Sequence, residues 1–299
     1  MKKFLPYLAL VAAILALSLS SLFIRWSSAP GPVTSFFRMA LASIFMFPFV
    51  LRYSVKKKQP IASWVKWLPF ALVGGIFTAL DHYTWSTAIN MTKVANATFL
   101  NNIAPLWVAL FAVLVWKENL RKLFWLGLLF TLAGAGLIFG IDLFYNPHLS
   151  LGDFLALVSS LFYAGYFLTT QLGRSKVDTL PYVWTVTLVS AVILFFVNIA
   201  ARQPLSGFST ATYLTFLGSA LISQTIGYFS VGYALGHLPA SIVSPTMIGQ
   251  PMLTALLAIP LASEPLTLDV ILGGIFVLSG IFLVNRNSSN REIDAVPVT

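Results

Sequence analysis

The chain states one pattern twice. Pro105 through Leu137 and Pro251 through Leu283 both read Pro-x3-Ala-Leu-x-Ala, then Glu-x-Leu, then Gly-x2-Phe-x-Leu-x-Gly-x2-Leu. The first copy carries Pro105, Glu118, Leu120, Gly127, Phe130 and Gly134, and the second carries Pro251, Glu264, Leu266, Gly273, Phe276 and Gly280. Each matched pair lies 146 positions apart, close to half of the 299 residues. A period of this length means two similar folding units in tandem. Leu8-Ala9-Leu10-Val11 returns as Leu155-Ala156-Leu157-Val158, so the likeness reaches the start of each half.

These units are too apolar to fold in water. Hydrophobic residues make up 58% of the chain and charged ones 9%, against roughly 25% charged in a soluble domain. So few charges cannot cover a water-facing surface, and the bilayer is the natural solvent. The expected fold is an all-α membrane protein of ten transmembrane helices, five to each half. The expected spans are Leu5–Trp26, Val33–Leu51, Trp67–Ile89, Val94–Trp116, Leu123–Gly140, Leu151–Leu172, Pro181–Ala201, Thr210–Leu235, Ala240–Ala262 and Leu268–Asn285. Turn formers and charges separate them, among them Pro30-Gly31-Pro32, the run from Arg52 to Pro60, and Asn146-Pro147. The halves are expected at residues 1–146 and 147–286, with 287–299 as a cytoplasmic tail. Met1-Lys2-Lys3 before an apolar run resembles a secretory signal. That run is long enough to span and has a counterpart in the second half, so it is read as the first membrane helix.

Basic residues set the orientation. With the N-terminus inside, 14 of the 18 Lys and Arg fall at inner ends and four, Arg25, Arg38, Lys93 and Arg202, at outer ends. Both termini are therefore expected in the cytoplasm, and the protein in the cytoplasmic membrane. Five spans per half is an odd number, so the second half must enter the membrane upside down. Lys117-Glu118-Asn119-Leu120-Arg121-Lys122 would lie inside, and its counterpart Ser263-Glu264-Pro265-Leu266-Thr267-Leu268 outside. The Glu and Leu are kept and the positive charges are gone, as inverted repeats require. The net charge of +9 does not indicate a nucleic-acid partner, because the basic residues cap apolar runs and form no stripe with interleaved aromatics. With no cysteine there is no disulfide framework and no thiol nucleophile.

Polar residues inside the spans mark candidate chemistry, above all where one half has them and the other does not. A ligand does not share the pseudo-symmetry of the protein; drift also produces such differences. Asp81 stands near the middle of the third span, with Gly227 as its counterpart. An acid there costs roughly 2.5–3.5 kcal/mol on insertion scales. It binds a cationic group or proton, or it pairs with Arg38. His82 has Tyr228 as its counterpart, and serves either as a proton relay with Asp81 or as a hydrogen-bonded packing residue. Thr78, Asp81, His82 and Trp85 share one helix face, and Gln224 and Tyr228 lie one turn apart on the eighth span.

Asn101 and Asn102 precede Pro105, and Gln250 precedes Pro251. Each proline removes a backbone hydrogen bond and frees a carbonyl near these amides. The amides contact substrate or merely join helices. Tyr163, Tyr166 and Trp184 supply aromatic walls or interface anchors. Glu118 and Glu264, present in both halves at interface depth, fit the framework. Asn96-Ala97-Thr98 matches a glycosylation sequon but falls within a span. No His-Glu-x-x-His, Gly-rich phosphate loop or Gly-x-Ser-x-Gly occurs, so no enzyme, metal or cofactor is expected.

Taken together, these residues resemble the drug/metabolite transporter superfamily, in particular its ten-helix EamA-type members. The first half carries Asp81-x3-Trp85-x2-Ala88, Val94-Ala95-Asn96-Ala97-Thr98-x-Leu100, Pro105, Glu118-x-Leu120, Gly127 and Gly134; the second carries Ala240-Ser241, Pro251, Glu264-x-Leu266, Gly273 and Gly280. Arg38 matches the basic residue that the family often has early in its second helix. No Trp stands near Ser18–Ser21, where many members carry one. The resemblance implies inverted five-helix repeats around a central cavity lined by helices one to four of each half, with the fifth and tenth outside. It also implies a secondary transporter, favoured as an exporter, of small metabolites such as amino acids or amphipathic compounds. A passive channel-like facilitator or a membrane scaffold is the alternative. The substrate, the coupling ion and the choice between monomer and homodimer stay open at this level. Single cysteines at Asn119 and Pro265 are expected to label from opposite sides of the membrane in this thiol-free chain. Labelling from one side rejects the inverted architecture.

Overall fold

Hydrocarbon has no groups that hydrogen-bond a peptide, so each segment that enters it must satisfy its own backbone. The chain does so with helices throughout. The structure is a computed structural model that describes residues 4–57, 66–92, 94–139, 150–262 and 267–286. Glu264, Pro265 and the expected tail at 287–299 lie outside the described residues. Ten helical passes follow in order. The first is Leu5–Ser18 continued by Ser20–Trp26, the second Gly31–Lys56 and the third Leu68–Met91. The fourth is Val94–Asn101 with Ala104–Leu114, the fifth Lys122–Phe139 and the sixth Leu151–Arg174. The seventh is Thr179–Ala200, and the eighth runs from Thr210 to Leu235 with a π-helical middle, Ser219–Tyr228. The ninth is Ala240–Thr246 with Gly249–Ala262, and the tenth is Leu268–Arg286.

Each of the ten expected spans is therefore a helix. Eight of them are long and apolar enough to cross a membrane, and Lys122–Ile138 is a shorter apolar helix. The third pass has 24 residues, but the polar run from Asp81 to Thr87 dilutes its hydropathy. The fourth and ninth passes break at matching places, just before Pro105 and Pro251. Proline cannot donate to the carbonyl four residues earlier, which is that of Asn101 in one half and of Met247 in the other.

Packing repeats with the sequence. The third pass lies along the sixth, and its counterpart the eighth lies along the first. The fourth packs on the sixth, and the ninth on the first. The third packs on the seventh, and the eighth on the second. The second and seventh, the fourth and ninth, and the fifth and tenth meet as equivalent pairs. Exchanging each pass with the one five places on therefore leaves this packing unchanged, as a two-fold relation between the halves demands.

The fifth–tenth contact gives the sense of that relation. A Cβ on Gly127 would lie 2.8 Å from the Gly280 carbonyl oxygen, and one on Gly134 would lie 2.5 Å from that of Gly273. As the number rises on one helix it falls on the other, so the two cross antiparallel. They are equivalent helices, and so the halves are inverted. Phe130 and Phe276, equivalent in the repeat, stack on each other at 5.3 Å between ring centroids. The repeated Gly-x2-Phe-x-Leu-x-Gly string is thus one of the seams between the halves. Glycines there let backbones approach closely, which drives helix association in lipid. The tenth pass is the least buried of the eight long spans, with 22% of its apolar window inside, so this pair sits at the edge of the bundle. Passes one to four and six to nine form the centre.

Gly134→Ala places a methyl against the Gly273 carbonyl oxygen and the Val277 backbone nitrogen, neither of which can swing away, as well as against the Val277 side chain. It is expected to destabilise the protein by about 1–3 kcal/mol through overpacking. Gly207→Ala, with nothing within 4 Å but a φ of 87°, tests loop strain separately. Thermal unfolding in detergent reads both.

Candidate functional site

Most buried hydroxyls in the bundle return to their own helix. Ser18 donates to the Leu15 carbonyl, Thr78 to that of Gly74 and Ser86 to that of His82. Such bonds need no partner helix and mark no site. A carboxylate or guanidinium has no comparable local refuge, and these groups separate out at the centre.

Asp81 is 6% exposed on the third pass. Its Oδ1 accepts from the Asn101 amide at 3.0 Å, and the same amide donates to Ser159 Oγ at 2.8 Å. Asn101 stands at the break that Pro105 causes, so the broken helix turns this amide toward the third and sixth passes together. Arg38 is 4% exposed on the second pass. It was counted above among outer-end charges; the structure buries it inside the helix. Its Nη1 donates to Ser20 Oγ at 2.7 Å, and its guanidinium lies over the Tyr228 ring at 5.3 Å. Arg38 and Asp81 stand on passes that pack together but form no direct ion pair. Asp81 is held by Asn101 instead.

Tyr228 is the hub. Its hydroxyl lies 3.4 Å from His82 Nε2, and its ring is 5.3 Å from that of Tyr166. Tyr166 in turn stacks on Tyr163 at 6.3 Å. His82 and Tyr228 are equivalent positions, so the pseudo-two-fold axis passes close to their contact. The structure thus brings together Asp81, His82, Asn101, Tyr163, Tyr166 and Tyr228, and adds Arg38, Ser20 and Ser159. Tyr163 and Tyr166 belong to this inner cluster and not to an interface belt.

The remaining candidates lie at the margin. Asn102 donates to the Thr98 carbonyl of its own helix at 2.8 Å. Gln224 donates to Thr187 at 3.1 Å, on the seventh pass, and its Oε1 has no partner. Trp85 is half-buried with its indole nitrogen unpaired. Gln250 is half-buried, and its side chain bonds none of the cluster. Trp184 donates to the Ser43 carbonyl at 2.9 Å and stacks on Phe47, so it fastens the seventh pass to the second. Glu118 accepts from Ser241 at 2.9 Å and joins the fourth pass to the ninth, in keeping with a framework role. Asn96 of the sequon is buried in its helix. Among the described residues no group of His, Cys, Asp and Glu can hold a metal ion.

The model of the EamA-like transporter family matches residues 4–140 and again 150–286. The chain belongs to this family. An uncharacterized transporter of Archaeoglobus fulgidus is 26% identical over 257 residues, covering 83% of this chain and 86% of its own. A second from that organism is 23% identical over 287 residues, covering 93% and 95%. The uncharacterized transporter YdfC of Bacillus subtilis is 24% identical over 216 residues, covering 70% and 68%. A solved crystal structure superposes with a TM-score of 0.77 at 16% identity, over 95% of this chain and 98% of that one, which supports the fold alone.

Asn101→Ala removes the amide that holds Asp81 and Ser159. It is expected to destabilise by about 1–3 kcal/mol, the cost of a buried polar group left unpaired. Asn102→Ala, which loses only a bond within its own helix, is expected to stay within about 0.5 kcal/mol of the parent. Equal effects would show that Asn101 does not anchor the acid.

Proposed function

We propose that this member of the EamA-like transporter family is a secondary active exporter of small metabolites or amphipathic compounds, such as amino acids. It works in the cytoplasmic membrane with both termini inside. Its two repeats, at 1–146 and 147–286, rock about the central cluster in alternating access. Asp81 and His82 couple the cycle to protons or recognise a cationic group. Asn101, Tyr163, Tyr166 and Tyr228 contact the substrate, with Trp85, Asn102, Gln224 and Gln250 completing the path on either side.

The observation that carries this reading is the acid at the bundle centre. Asp81 is buried near the axis between inverted halves and held by a single amide. An intramembrane acid that costs this much to bury and lacks a direct basic partner is by default functional. The ends of the bundle support the motion. Tyr53 donates to Asp178 at 2.5 Å and Ser241 to Glu118 at 2.9 Å, both between halves at one end. Thr92 donates to Asp153 at 2.6 Å and Asn198 to the Pro32 carbonyl at 3.1 Å, between halves at the other. Among the described residues these bonds, with the Lys57–Asp178 ion pair at the first end, link the halves near the two ends, and a rocking motion breaks one set while keeping the other.

Proteoliposomes with radiolabelled amino acids and amphipathic amines, with and without an imposed proton gradient, test the proposal. Flux is expected to saturate with substrate, to respond to the gradient and to fall at least about tenfold, or 1.4 kcal/mol, in Asp81→Asn. Unsaturable flux equal in the variant would establish the passive facilitator instead.

A further inference from the structure

Among the described residues, Arg38 is the one guanidinium or ammonium group with buried nitrogens that lack a hydrogen-bond partner. Only its Nη1 is bonded, to Ser20. Nε and Nη2 are buried and have no partner among the described residues. These two nitrogens are not an arbitrary pair. They form one straight edge of the guanidinium, with parallel N–H bonds spaced to meet the two oxygens of a carboxylate. Ser20 occupies the opposite side and fixes the plane. Tyr228 supports it from below at 5.3 Å. A buried guanidinium with an open fork is costly, because an unpaired charged group loses hydration without compensation. Stability alone does not explain it, since another hydroxyl like Ser20 would have satisfied the edge.

Asp81 is the nearby acid, yet its carboxylate is committed to Asn101, which is itself fixed by Ser159. The acid and the arginine stand on passes that pack together, and each is held by a neutral partner. We infer that the Nε–Nη2 edge of Arg38 is the docking point for a carboxylate carried by the transported molecule. The inference rests on the transporter reading and deepens it: the substrate bears a carboxylate, and Arg38, a residue outside the candidate set read from sequence, selects for it. Asn101 serves as a positioning residue that keeps Asp81 from occupying the fork. Tyr228, whose ring lies against the guanidinium, and Tyr166 and Tyr163, which continue the contact from it, take the apolar body attached to that carboxylate.

Nitrogen-15 NMR of the arginine side chains tests this in the full chain reconstituted in lipid nanodiscs. Arg38 is the one buried arginine among the described side chains. Its Nε–H resonance is assigned by its loss in Arg38→Lys or, should that variant not fold, by its protection from an aqueous relaxation agent. The probe is acetate, with acetamide as the neutral isostere and chloride as the ionic-strength control. Acetate is expected to shift the Arg38 resonance saturably, and the controls to leave it in place. In Asp81→Asn the shift is expected to persist, whereas a shift that appears only in Asp81→Asn would show that Asp81 and not acetate fills the fork of the parent. Asn101→Ala, which releases Asp81 toward the arginine, is expected to weaken acetate binding by about tenfold. No saturable shift with acetate, or an equal shift with acetamide or chloride, overturns the proposal. Flux in proteoliposomes without an acetate response would retain the transporter and reject this site; an acetate response without flux would do the reverse.

Discussion

Hydrocarbon supplies no hydrogen bonds, and this one constraint shapes the structure at every scale. It makes each pass a helix, since only a helix closes its backbone within itself. It sends the serine and threonine hydroxyls back to carbonyls of their own turns. The helix breaks before Pro105 and Pro251 fall on the fourth and ninth passes, which pack against each other and against the sixth and first. The same constraint separates the few groups that cannot be satisfied locally, Arg38 and Asp81 above all, and gathers their partners from three other passes.

The duplication gives those groups a setting that neither half has alone. Equivalent residues meet near the axis: Phe130 with Phe276 at the edge, and His82 with Tyr228 in the centre. At the edge the halves keep the same residues, because a symmetric contact between backbones needs glycine on both sides. In the centre they differ. Asp81 and Asn101 stand in one half where Gly227 and Met247 stand in the other. Framework and site are therefore divided by how far each position keeps the repeat. Glu118, kept in both halves, bonds Ser241 and joins two passes; Asp81, present once, is held at the heart of the bundle.

Much of the fold was legible in the chain. The offset of 146 residues, the apolar runs and the loss of positive charge around Glu264 together specify ten helices in inverted halves, and the antiparallel crossing of the fifth and tenth passes agrees. The central cluster was legible in part. Asp81, His82, Asn101 and Tyr228 stand out because polar residues in the middle of a span are costly. Arg38 was legible as a possible partner for Asp81 but was counted at a span end, and only packing reveals that it is buried and bonded to Ser20 instead. Asn101 and Asn102 looked alike in sequence. The turn of the helix decides that one amide reaches Asp81 while the other returns to the Thr98 carbonyl.

The sequence by itself determined the class of fold, the duplication and its inverted sense, because hydropathy, periodicity and charge placement act locally and add along the chain. Only the tertiary structure decided which polar groups meet. Asp81 bonded to Asn101 instead of Arg38, Tyr228 placed beneath the guanidinium and the fork of Arg38 left open all depend on the rotation of each helix about its axis. That rotation is set by packing against neighbours distant in the chain, and no local pattern encodes it.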